Sequence, residues 1–170
     1  MFETITLGSD PELFIVDEKN HVVPSRKLIN ENNLIINSKI GRGSIARDGV
    51  QVELHPEHSV CRESSRAHLY ALLKETNNLA NSKKFKISKD FCVSLSKKEL
   101  SKIDKEDLAL GCEPDLSSYT GGVKILNIDG SNHFKRYAGG HLHFGFVTPD
   151  KETFLNSVDN MIKYLDLFTG

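Results

Sequence analysis

Val50-Gln51-Val52-Glu53-Leu54-His55 alternates strictly between apolar and polar residues. Successive side chains of a strand point to opposite faces, so this stretch reads as a strand. Val50, Val52 and Leu54 take one face, and Gln51, Glu53 and His55 take the other. Glu53 sits mid-strand, against the β propensity of a carboxylate. On a buried face it needs a partner; on a solvated face it needs none.

Working outward, Glu12-Leu13-Phe14-Ile15-Val16-Asp17 reads as a strand, Glu18-Lys19-Asn20 as a turn, and His21-Val22-Val23-Pro24 as a return strand. Asn33 to Asn37 is another short strand, and Gly41-Arg42-Gly43-Ser44 reads as a loop. A helix is expected from about Glu63 to Asn81, with Leu69, Leu72, Leu73 and Leu79-Ala80 as its apolar stripe. Ser96-x-x-Glu99 fits a capping box that opens a short helix. Val123 to Ile128 is a strand ended by Asp129-Gly130, and Gly139 to Val147 is a strand entered through two glycines. Thr148-Pro149 opens a last helix. Its stripe is Phe154, Leu155, Val158, Met161, Ile162, Leu165 and Phe168, spaced to pack on a sheet. Strands before and after a long helix, joined by hairpin-type links, predict one α+β domain over residues 1–170 with a largely antiparallel sheet.

Composition narrows the function classes. The 170 residues carry 22 basic and 23 acidic side chains, a formal charge of −1, which argues against a nucleic-acid or membrane-surface protein. The span from Arg62 to Asp107 holds 11 Lys/Arg against 7 Asp/Glu, and its basic part from Lys83 to Lys105 reads as solvated surface. No apolar run reaches membrane-span length, and the first residues lack a signal-peptide pattern. Cys61, Cys92 and Cys112 are odd in number and far apart, which reads as free thiols in a reducing cytoplasm.

Four places carry candidate chemistry. His141-x-His143 puts two imidazoles on one face of a strand, able to converge on one ion or phosphate, with Gly139, Gly140 and Gly145 leaving room for close approach. Two histidines on a solvated strand face are the structural alternative. Asp10-Pro11-Glu12 sets two carboxylates on one side of an extended chain, a repulsive pair that a hard cation would relieve. Asp-Pro also opens turns. Glu113-Pro114-Asp115 repeats that geometry. Arg136, Arg42 and Arg47 are natural partners for phosphate oxygens, though each alone suits a surface. A phosphate-binding P-loop, a Gly-x-Ser-x-Gly elbow, a His-Glu-x-x-His helix and Cys-x-x-Cys spacing are all absent from the sequence.

Taken in order, four segments resemble the motifs of phage-encoded COOH–NH2 ligases, the phiEco32-like amidoligases of the glutamine synthetase and glutamate–cysteine ligase superfamily. They are Leu7-Gly8-Ser9-Asp10-Pro11-Glu12-Leu13-Phe14, Arg47-Asp48-Gly49-Val50-Gln51-Val52-Glu53-Leu54-His55-Pro56, Leu110-Gly111-Cys112-Glu113-Pro114-Asp115 and Ala138-Gly139-Gly140-His141-Leu142-His143-Phe144-Gly145. The resemblance covers about the first 150 residues and is fairly specific as a set.

What it implies is a curved antiparallel sheet with helices on one face, like the glutamine synthetase catalytic domain. Acidic and histidine side chains on that sheet hold Mg²⁺ or Mn²⁺ and ATP. A substrate carboxylate takes the γ-phosphate, and an amine then attacks the acyl phosphate to give an amide. Carried over by motif, Asp10, Glu12, Glu53 and His141 resemble metal ligands, and His143 a group facing the ATP phosphates. Arg136 and Arg47 would be phosphate contacts, Glu53 and Arg136 catalytic groups, and Asp48 and Gln51 supporting or substrate groups. The partners implied are a carboxylate and an amine, with protein or peptide, cell-wall and small-molecule substrates all open, in the cytoplasm of an infected bacterium. Family members continue past the helix after the His-x-His strand, whereas this chain stops at Phe168-Thr169-Gly170. The expectation is thus a domain lacking the family's C-terminal part, or a site completed by a partner chain or self-association. Two other readings stand beside it: an inactive accessory or binding protein on the same fold, and a zinc hydrolase built on the His-x-His pair.

Overall fold

The computed structural model describes residues 4–30, 35–39, 42–108, 120, 122, 130–147, 158, 160–163, 165 and 167. The expected features at Glu113-Pro114-Asp115 and Val123 to Ile128, and the start of the last helix at Thr148-Pro149, lie outside them.

The strands are β1 (Thr4–Ser9), β2 (Glu12–Leu13), β3 (Ile15–Val16), β4 (Val22–Val23), β5 (Ile35–Asn37), β6 (Gly43–Asp48), β7 (Gln51–Pro56), β8 (Lys86–Ile87), β9 (Cys92–Ser94), β10 (Lys135–Tyr137) and β11 (Leu142–Val147). Among the described residues α1 (Arg62–Ser82) and α2 (Lys97–Leu100) are α-helices, residues 158, 160–163, 165 and 167 are helical as well, and short 3₁₀ turns lie at Ser25–Lys27 and Lys105–Leu108. Every strand pair among the described residues is antiparallel. The chain is therefore α+β with largely antiparallel sheets. Among the described residues no helix is long and apolar enough to cross a membrane.

The opening hexapeptide behaves as its alternation requires. Val50, Val52 and Leu54 are fully buried. They lie in the four-stranded sheet β2-β7-β6-β5 and its apolar surroundings, with α1 packed against it. Leu72 and Ala80 of the helix stripe are fully buried, and Leu69, Leu73 and Leu79 pack against the same core. The capping box at Ser96 and Glu99 is formed. The lysines from Lys83 to Lys105 are exposed, as the charge run implies. In the last helix Val158, Met161 and Leu165 are partly buried, while Ile162 is exposed.

Two readings change. Gly43 and Ser44 are not loop but the start of β6, which pairs with β7 along its whole length. Gly43 has φ 132°, and a Cβ there would stand 2.2 Å from the His55 carbonyl oxygen. Glycine serves a close strand approach here rather than a turn. The expected strand over Glu12 to Asp17 is split into β2 and β3 by Phe14, which sends its own fully buried ring into a second core cluster.

The strands of the described residues fall into four hydrogen-bonded sheets. Backbone bonds stitch two of them where the chain breaks step. The Asp10 N–H donates to the His141 carbonyl and the Glu12 N–H to the Gly139 carbonyl, while the Leu54 N–H donates to the Pro11 carbonyl. Proline cannot donate to a ladder, so β1 and β2 separate at Pro11. Gly140, at φ 151°, faces that break, with room for no side chain: a Cβ would lie 2.9 Å from Pro11 Cα.

Candidate functional site

Antiparallel register decides which side chains share a face. Glu12 stands opposite Glu53, and Ala46 opposes Glu53 from the other side. Asp48 stands opposite Gln51. Residues directly opposite one another share a face, so Glu12, Asp48, Gln51 and Glu53 gather on the polar face of β2-β7-β6. The two-residue turn Gly49-Val50 fixes this register, with Gly49 at φ 52° supplying the positive φ that a type II′ hairpin places first.

Glu12 is the meeting point of three distant segments. Its Oε2 accepts from Gln51 Nε2 at 2.8 Å and from the Gly139 N–H at 2.9 Å. Gln51, nearly buried, also donates to the Tyr137 carbonyl at 2.7 Å. Glu53 Oε2 lies 2.7 Å from His55 Nε2. Asp48 completes the cluster. Its own burial, then the charges of Glu12 and Glu53 and hydrogen bonding with Glu12, push its pKa up to about 6.

Asp10 faces the histidines. Its carboxylate accepts the His141 N–H, and its Oδ2 lies 2.9 Å from His143 Nε2 and 3.3 Å from His141 Nδ1. Burial disfavours its charge, but the His141 N–H and both imidazoles outweigh that and hold its pKa below the ordinary value. The two rings are tilted, 6.3 Å apart, and both are exposed. Asp10 and Glu12 thus have different partners.

The expected ligand set is therefore divided. Asp10 and His141 belong to one group, Glu12 and Glu53 to the other. Among the described residues no three or more His, Cys, Asp or Glu side chains are placed to hold one metal ion. Asp48 and Gln51, which the resemblance gave as supporting or substrate groups, join the cluster, and so does His55. For His55 the alternation along β7 was the available signal. For Asp48 it was the Asp-Gly pair at a hairpin.

Both arginines expected at phosphate lie elsewhere. Arg47 opposes Val52, which puts it on the apolar face of β6, away from Glu53. There its Nη2 lies 3.2 Å from Asp107, a buried carboxylate that Arg26 also binds. Arg136 is 2% exposed. Its guanidinium donates to the carbonyls of Leu108, Gly130, His133 and Lys135, and burial lowers its pKa. Strand alternation explains this: Lys135 and Tyr137 point out, so Arg136 points in. Arg42 is exposed and pairs with Glu57. Of the cysteines, Cys61 and Cys92 are free.

Comparison with known proteins finds no matching family model, no matching curated protein and no matching solved structure.

Proposed function

We propose that this chain is a carboxylate–amine ligase domain of the glutamine synthetase and glutamate–cysteine ligase kind, dependent on ATP and Mg²⁺. One observation carries the reading. Three of the segments that resemble the amidoligase motifs, far apart in sequence, meet on the single carboxylate of Glu12 through Gln51 and Gly139. A chance likeness of short motifs gives no reason for them to meet.

The donor chemistry suits a hard cation, since three carboxylates crowd one sheet face. The geometry does not: the acids are closed onto hydrogen-bond partners, and no three converge on one ion position among the described residues. The chain's own residues therefore define a narrower role. Glu12 is oriented by Gln51 and Gly139, Asp48 holds a proton to about pH 6, and Asp10 orients two solvent-facing imidazoles.

A second reading, an inactive binding protein on the same fold, is favoured by one observation: Arg47 and Arg136 are both engaged away from the acids. Isothermal titration of the folded chain with ATP and Mg²⁺ separates the two. The ligase reading expects nucleotide binding that Glu12→Gln and Glu53→Gln each weaken. Absence of nucleotide binding in a folded sample overturns it and leaves the second reading.

A further inference from the structure

A groove of about 550 Å³ lies away from the acids, between β1, β11 and the first turns of α1. Leu7 opposes Phe144 across the β1–β11 ladder, and Ile5 shares their face. His143 opposes Gly8, on the other face. The groove and the Asp10–His143 cluster are thus on opposite sides of these two strands. A backbone bridge between Leu7 and Ser59 brings Val60 and the start of α1 alongside, and Leu69 closes the wall. Three apolar members are open to solvent: Ile5 is 55% exposed, Val60 68% and Phe144 39%.

Two arginines stand in the groove lining, Arg62 and Arg66. Both are exposed, and neither guanidinium has an ion pair or hydrogen bond among the described residues. Four residues apart on α1, they repel one another. Cations in the opening turns also oppose the helix dipole. The sequence thus places two uncompensated charges beside exposed apolar surface, and one ligand type relieves both. An apolar body would cover Ile5, Leu7 and Phe144, and a carboxylate would match the forked guanidinium.

We propose that this groove binds a free fatty acid, its acyl chain along Ile5, Leu7 and Phe144 and its carboxylate on Arg62 and Arg66. The inference does not depend on the ligase reading. The test is titration of the full chain with decanoate below its micelle concentration, in low salt with chelator. Saturable binding is expected. It should weaken by about tenfold or more in R62E/R66E and when decanol replaces decanoate. Phe144→Ser should weaken it as well. Acids in the first turns suit the helix dipole, so R62E/R66E is expected to fold. Circular dichroism checks this, and R62Q/R66Q replaces it otherwise. Three outcomes overturn the proposal: no saturable binding, equal binding by the charge variants, or capture by anionic phosphatidylglycerol vesicles without decanoate binding.

Discussion

Glu12 and Glu53 stand directly opposite one another on neighbouring antiparallel strands, so two carboxylates share one rung of the β2–β7 ladder. Like charges in that position destabilise a sheet. Gln51 and the Gly139 N–H compensate Glu12, and His55 lies against Glu53. Glu53→Gln keeps the shape and removes one charge. It should stabilise the fold by up to about 1 kcal/mol in urea denaturation at neutral pH. The Asp48 pKa, followed by carboxyl NMR, should fall in the same variant.

Asp48 makes the fold sensitive to mild pH. Its folded pKa is raised from 3.8 to about 6. The folded state therefore binds the proton more tightly than the unfolded one, and this favours folding fully below the unfolded pKa. The advantage is lost as pH rises from about 4 to about 6. Asp48→Asn should flatten stability across that window and be more stable than the parent at pH 7.5, by about 1–3 kcal/mol. Denaturant midpoints measured at several pH values check both. Asp10 has the opposite sign. Its pKa is lowered, so its contribution is present above 3.8 and lost only as pH falls below that value.

Arg136 is expected to be structural. Arg136→Ala should cost about 3 kcal/mol or more, since several carbonyls lose a charged donor inside the protein. Arg136→Lys should recover only part of this, because an ammonium lacks the guanidinium's five donors. Thermal unfolding measures the loss. A variant of unchanged stability with weakened nucleotide binding would return Arg136 to a phosphate role.

Asp107 joins Arg26 and Arg47 from two distant parts of the chain. Asp107→Ala should destabilise by about 3 kcal/mol, as expected when one partner of a buried ion pair is removed. Asp104→Ala, at an exposed partner of the same Arg26, should cost under about 1 kcal/mol. Chemical denaturation of the two variants gives the comparison.

Legibility in the sequence followed burial on one face. β7 was readable because its apolar face is fully covered, so hydrophobicity and strand period coincide. β6 was not: Arg47 occupies its core side and Ala46 its polar side, which reverses the usual signal. Asp107, 60 positions later, is a partner that makes Arg47 tolerable there. The same limit applied to Arg136, whose carbonyl partners carry no side-chain signature. The candidate site was legible as residue types, acids and histidines at two-residue spacing. Its division was not, because the break at Pro11 gives Asp10 and Glu12 different partners.

That break has a consequence for change by insertion. Pro11 and Gly140 meet where a Cβ has no room, and the chain resumes pairing on both sides of the contact. One residue added between Ala138 and His141 that slips β11 by one position would exchange its two faces, turning His141 and His143 toward the side of Ile5 and Leu7 and Phe144 toward the side of Asp10. The segment from Ala138 to His141 is thus a phasing element, and its length is expected to tolerate change far less than the composition of the residues around it.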